Sequence, residues 1–378
     1  MNPVEMVTPL NLTEAKETWI TKAEDGHFEN PVFVYDSDLL AKITDKFGIL
    51  DEARQKISEI KPRNEADKYL LRHYTRVIID AIITANMAKA MLQKDDKSLS
   101  DSVILKYGRP VISNSPSSNA QPVNVVYPKD QLQRLENVSL DANFIKEIFI
   151  WSMEQYGVEP WPVEILENCS AIDVRDKNSG GHPMIAIPAS RKVNGLKLAE
   201  LVGHEIECHW RNSQNITSIG CLKTDDEVVY EGVAKFKDMA FQAKTTGEPT
   251  LPSIYHVSAE SMALSSVGFA EVGRKLFEAT KSAKRAWTFT YRAFRGVADT
   301  ANPVGYAFTK DKAYLEGVIC VDGMVKIGLL PYLSFAALCV GDIYDLAHSV
   351  DKASIFDPSV LRDLDVQSKV LSEIERRL

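Results

Sequence analysis

With 378 residues, 45% of them hydrophobic and 25% charged, the chain is long enough to bury a large core in one big domain or two modest ones. Its formal net charge of −8 argues against bulk binding to nucleic acid. Five cysteines, an odd number with no C-x-x-C, argue against a disulfide framework or a cysteine-held structural zinc and fit a reducing, cytoplasmic compartment.

The opening Met1-Asn2-Pro3-Val4-Glu5 has no basic stretch followed by an apolar run, so no signal peptide is expected. Residues 11–24 read as a capped helix, with Asn11 as N-cap and Glu14 three residues on. Gly26 to Asp36 reads as loop and extended chain. From Ser37 to about Gln93 the pattern is helical, and its second part, Tyr69 to Met91, is apolar enough to be buried. Residues 107–129, rich in Gly, Pro, Ser and Asn, carry no periodicity and are expected to form a linker or long surface loop. The expected division is a helical N-terminal region, residues 1–110, and a catalytic region, residues 111–378, packed as one compact unit.

Leu140 to Tyr156 reads as a helix, Val163 to Val174 as one or two strands, and Asn178 to His182 as a turn. Met184 to Pro188 is a short apolar strand ending in proline. It suits an edge strand that takes up an extended peptide, with Asn178 and His182 close by. Leu196 to Trp210 reads as an apolar-faced helix, Val228 to Ala243 as another, and the remainder as mostly helical. The apolar run Ile327 to Gly341, broken by Pro331, is too short to span a bilayer and reads as a buried helix. The fold class expected is α+β, mainly helical, with a small sheet beside the helix at 196–210.

That helix carries His204-Glu205-Ile206-Glu207-Cys208-His209, an H-E-x-x-x-H sequence. The shorter H-E-x-x-H places two imidazoles on one helix face, about 40° apart. Here the spacing is i to i+5, about 140° on an ideal α-helix, which points the rings apart. A metal site therefore requires either a π-type turn or a helix that ends near Cys208. No Gly or Pro breaks the segment after the first histidine, which favours the π turn. A catalytic zinc takes three protein ligands and keeps one position open. The best third ligand is Glu231, in Tyr230-Glu231-Gly232-Val233-Ala234, where small residues let one helix approach the other. Glu205 is then the general base. Cys208, between apolar faces, reads as inert packing.

These residues resemble the microtubule-associated tyrosine carboxypeptidase family and its bacterial relatives with a Q-E-G-L-A motif. The resemblance rests on His204-Glu205-Ile206-x-x-His209 and Glu231-Gly232-Val233-Ala234. It extends to Asn11-Leu12-x-x-Ala15-Lys16, Asn30-Pro31-Val32-Phe33-x-Tyr35 and Tyr107-Gly108-x-Pro110. Tyr291-Arg292-Ala293-Phe294-Arg295-Gly296 and Phe308-Thr309-Lys310-Asp311-x-x-Tyr314-Leu315-x-Gly317 complete it. It implies a zincin-like metallopeptidase that binds one zinc ion per chain through His204, His209 and Glu231. Glu205 would be catalytic, and a C-terminal aromatic residue, Tyr or Phe, would be removed from a protein or peptide. Three positions depart from the family pattern, Glu207, Cys208 and Tyr230, and none is a ligand.

An enzyme acting at a C-terminus must hold a free carboxylate, which arginine does with a bidentate fork and lysine as a point charge. Lys281 to Lys312 holds seven basic residues against two acidic ones. Arg292, Arg295 and Lys310, inside the family-like segments, are the candidates, and Tyr306 or Tyr314 is a candidate donor to the developing oxyanion. Two other readings fit the motif: a zinc hydrolase acting on another amide or conjugate, and a non-catalytic binding module with a residual zinc site.

Overall fold

The computed structural model describes residues 3–111, 127–167, 169, 171–175, 182–218, 221, 227–247, 254–297, 299–329, 333, 335, 336, 338, 339, 341–344 and 366–378. Most of the expected loop at 107–129, the residue Asn178 and the stretch 359–365 lie outside them. The protein is mainly helical with one small sheet, an α+β architecture. It divides into two units, each assembled from three stretches of chain.

The first unit comprises Met1–Pro62, Tyr74–Asn114 and Ser253–Leu315. Its helices are α1 (Pro3–Met6), α2 (Leu12–Glu24), α3 (Ser37–Thr44), α4 (Phe47–Ser58), the part of the long α5 (Glu65–Gln93) from Tyr74 onward, α6 (Asp96–Tyr107), α12 (Ile254–Leu264), α13 (Phe269–Thr280) and α14 (Ala283–Ala293). Asp36 starts α3 by accepting the amides of Asp38 and Leu39 at 3.0 Å. Asn11 does not cap α2 with its side chain. Its amide instead donates to the Val32 carbonyl at 2.8 Å and accepts from the Val34 amide at 3.0 Å, so it stands in for a missing strand beside the extended segment. The core is aromatic: Trp19, Phe33, Phe269, Trp287 and Phe294 are buried together, most pairs edge-on or tilted.

The second unit comprises Arg63–His73, Ser115–Pro252 and Glu316–Leu378. Its elements include α7 (Lys129–Asn137), α8 (Ala142–Glu154), β1 (Val163–Leu166), β2 (Asp173–Arg175), β3 (Met184–Pro188) and α9 (Gly195–Leu201). A π-helix (Val202–Trp210), α10 (Arg211–Ser218), α11 (Glu227–Thr246) and the C-terminal helix (Val366–Arg377) follow. The apolar faces of α8, α9, the π-helix and the C-terminal helix share one core, built on Ile145, Phe149, Leu198, Ile206 and Leu371.

The sheet order is β1-β3-β2, with β3 parallel to β1 (Val163 opposite Ile185) and antiparallel to β2 (Val174 opposite Ile185). This corrects the expectation of an edge strand at 184–188. Ile185, Ala186 and Ile187 are all fully buried, and the continuous apolar run is the mark of a central strand. The edges belong to β1 and β2. A second correction concerns Ile327 to Gly341. The helix α15 (Ala313–Lys326) stops before it, because Gly328 adopts φ +83 and the Leu329 amide turns back to Met324 at 2.9 Å, a left-handed helix stop. Beyond it, Leu333 and Phe335 lie in tight 3-10 turns and residues 341–344 in a short helical turn, while 330–332, 334, 337 and 340 lie outside the described residues. Among the described residues, no helix is long and apolar enough to cross a membrane.

Candidate metal centre

The segment 202–210 adopts the irregular turn that its histidine spacing calls for: a nine-residue π-helix set between α9 and α10. Asn194 begins this run by accepting the Lys197 amide at 2.7 Å. Hydrogen bonds running i→i+5 bring residues five apart back to one face. The His204 and His209 rings accordingly stand 4.8 Å apart, nearly perpendicular.

Glu231, on α11, completes the group. Its Oε2 lies 3.7 Å from His204 Nε2 and 3.8 Å from His209 Nε2. The ligand atoms of His204, His209 and Glu231 all fall within 4.8 Å of one another. Two glycines set the height of α11. A Cβ on Gly232 would stand 2.5 Å from the Gly317 carbonyl carbon, and one on Gly317 would stand 2.3 Å from the Val228 carbonyl oxygen. The small residue after Glu231 thus admits the backbone of α15, whereas the expectation was that it admits the motif helix. Ala234, fully buried in one cluster with Cys208, takes that second role.

Asp238 is the residue that sequence reasoning missed. Its Oδ2 lies 3.1 Å from His204 Nδ1 and also accepts from Lys235 Nζ at 2.8 Å. This fixes the imidazole so that Nε2 is the nitrogen turned to Glu231. The signal was present: Asp238 follows Glu231 by seven residues, two helical turns, on the buried side of α11. Tyr230 stacks on His209 with ring centroids 4.1 Å apart and holds the second imidazole by its face.

The donor set fits a zinc ion: two imidazole nitrogens and one carboxylate oxygen converge, with a buried carboxylate orienting one imidazole. The electrostatics agree. Burial pushes the His204 imidazole down, yet Asp238 and Glu231 outweigh it and raise it to about 10, so the pocket is built around a positive charge. Burial pushes the Glu205 carboxyl up to about 7, with His204 pulling down and Glu231 and Asp238 pushing up. Cys208 is inert, its thiol driven up to about 12 by burial.

The model of the microtubule-associated tyrosine carboxypeptidase family matches residues 23–333. The chain belongs to this family. No curated protein matches it. Membership in the tyrosine carboxypeptidase family implies peptidase chemistry at a protein C-terminus.

The four residues expected to bind substrate lie in the first unit, and the three cationic ones, Arg292, Arg295 and Lys310, act on the buried Asp311. Arg292 Nη1 stands 3.3 Å from Asp311 Oδ1, and Arg295 Nη1 stands 3.9 Å from Oδ2. The Arg292 guanidinium lies over the Tyr314 ring at 5.8 Å, and Lys310 adds its charge to the same carboxylate. Arg295 is held between the rings of Tyr291 and Phe308. Tyr306 is spent elsewhere: fully buried, it donates its hydroxyl proton to the Arg295 carbonyl, which rules it out as an oxyanion donor. His182 is exposed ahead of β3.

Proposed function

We propose that the chain is a zinc-dependent metallo-carboxypeptidase of zincin-like fold, removing a C-terminal aromatic residue from a protein or peptide. One observation carries the reading: His204, His209 and Glu231 converge, and Glu205 sits on the same π turn, buried and raised toward neutrality. A structural metal site needs no such second carboxylate beside its ligands. Family membership supports the C-terminal cleavage and a preference for tyrosine. The free cysteines fit a cytoplasmic setting.

Bound zinc supplies Lewis-acid polarisation of the scissile carbonyl and an acidified water. The Glu205 carboxylate takes the water proton and hands it to the nitrogen of the departing residue. Asp238 keeps the His204 ring from turning during that exchange, and Tyr230 does the same for His209. On its chemistry, the cationic group of Arg292, Arg295 and Lys310 with Tyr314 is our candidate for the substrate carboxylate. Arg292 is the first choice, its side chain 28% exposed against 10% for Arg295.

The test is mass spectrometry of a peptide library, varied at its last two positions, after incubation with the zinc-loaded chain. Release of single C-terminal Tyr or Phe is expected, and cleavage at internal bonds only would refute the exopeptidase reading. Glu205→Gln should keep zinc and lose release. Full activity in that variant would point to another base.

A further inference from the structure

Glu207 lies between the two histidines, and the mechanism leaves it unused. It is a carboxylate with 1% of its surface exposed. Burying such a charge is strongly unfavourable unless it is paired and hydrogen-bonded. Both its oxygens are engaged. Oε2 takes Lys237 Nζ at 2.5 Å, and Oε1 accepts the Gln367 amide at 2.6 Å. Lys237 sits on α11, the helix that carries Glu231. Gln367 is the second residue of the C-terminal helix, so Glu207 caps that helix across 160 residues of sequence.

The Gln367 side chain returns the contact. Its Nε2 donates to the Ala199 carbonyl at 3.0 Å. Ala199 lies in the last α turn before the π ladder begins, where the Val202 amide is shared between the Ala199 and Leu198 carbonyls. A donor inserted at such a point favours the irregular turn over a straight helix. Gly203 makes the room, since a Cβ there would stand 2.4 Å from Gln367 Nε2. Val366, Val370 and Leu371 bury the same helix in the core shared with Val202 and Ile206. Glu207 therefore joins three elements: the turn bearing both histidines, the helix bearing Glu231, and a helix beyond the family match, which stops at residue 333.

We propose that Glu207 is a positioning residue for the metal centre, and that the C-terminal helix works through it as a latch holding the π turn against α11. The inference rests on the metal reading above for its affinity readout, and on hydrogen exchange for a readout that needs no metal.

The experiment uses the full chain in three variants: Glu207→Ala, Gln367→Pro, and Glu207→Gln combined with Lys237→Met. Proline is tolerated in a first helical turn, so Gln367→Pro removes both donors without breaking the helix. The paired substitution keeps an acceptor for the Gln367 amide and strands no charge. Backbone exchange of residues 202–210 is followed in metal-free protein, and zinc affinity by competition with a chelating dye. Both single variants should exchange faster across 202–210 and bind zinc about 10–100-fold more weakly, as for other residues that orient ligands. The paired variant should recover most of both. Unchanged exchange in Glu207→Ala overturns the latch. So does faster exchange spread evenly over the second unit with zinc affinity intact, which is the signature of a stability role alone. If the unmodified chain takes up no zinc, the metal reading fails and the exchange comparison decides the latch by itself. Should Glu207→Ala not fold, Gln367→Ala removes only the side-chain donor and carries the same comparison, with faster exchange expected around Ala199 and the π turn.

Discussion

Asp238 decides which nitrogen His204 presents, and it does so as a charge as much as a hydrogen-bond acceptor. Asp238→Asn should therefore weaken zinc binding about 10–100-fold, measured by chelator competition, while the fold and Glu205 stay in place. An unchanged affinity would show that the π turn alone orients the ring. At this scale the sequence was most informative about His204, Glu205 and His209, because three titratable groups within six residues are hard to bury without a metal. Glu231 was legible from the small residues after it. Asp238 was harder to see: its two-turn spacing from Glu231 tells only once that side of α11 is known to be buried, since a single aspartate on a helix otherwise reads as a solvated surface charge. Tyr306 was misread in the opposite direction: a tyrosine near basic residues suggested chemistry, and the structure gives its hydroxyl a backbone carbonyl.

Helix contacts explain why two distant segments both carry a glycine. Gly232 and Gly317 let the backbones of α11 and α15 touch. Gly317→Ala forces a methyl group against the Val228 carbonyl, a strain of about 1–3 kcal/mol. It should lower the melting temperature and loosen zinc together, because α11 carries Glu231. Gly323→Ala on the same helix is the control: a Cβ there meets nothing within 4 Å. That change should stabilise by about 0.5–1 kcal/mol, since alanine is the better helix former. Equal melting shifts for the two variants would sink the packing argument. Helices and strands themselves were largely legible, because their hydrophobic period is local: α2, α8, α11 and β3 fall within a few residues of where the pattern puts them. The order of strands was not. Whether β3 is central or at an edge depends on which segments flank it, and β1 and β2 are short and carry only partly buried faces.

At the scale of the whole molecule, the two units should respond in stability to different variables. In the first, burial alone would raise the Asp311 carboxyl, yet Arg292 and Arg295 outweigh it and hold it below the ordinary range. A depressed carboxylate stabilises the folded state above its unfolded pKa of about 3.9, and that increment is lost as pH falls through the lower folded value. Denaturation at constant chelator should thus show Asp311→Asn less stable than the unmodified chain at pH 7, with the gap closing below about pH 4. A gap that persists in acid would assign the loss to packing. In the second unit the variable is the proposed zinc ion. Saturating it at 100 times the dissociation constant should add about 2.7 kcal/mol. Exchange protection should rise in the second unit on zinc addition, and a rise confined to the first would place the ion elsewhere. The interleaving of three stretches into each unit was beyond the reach of periodicity, which reports only on neighbours along the chain.

The π-helix has a consequence for how such a sequence can change. Removing one residue between the histidines would give the commoner H-E-x-x-H spacing, still on one helix face. The five steps from His204 to His209 that complete one π turn would become four completing about one α turn, so everything after the deletion would keep nearly the same phase. Asn212 now bonds back to the Cys208 carbonyl at 2.8 Å and receives the Ala336 amide at 2.9 Å. It would still face its second partner, and the buried Trp210 would keep its place in the core. If the residue removed is Glu207, what is lost is the link to Lys237 and Gln367. The two motif lengths thus stand a single deletion apart, and the extra residue is kept for what its own side chain holds.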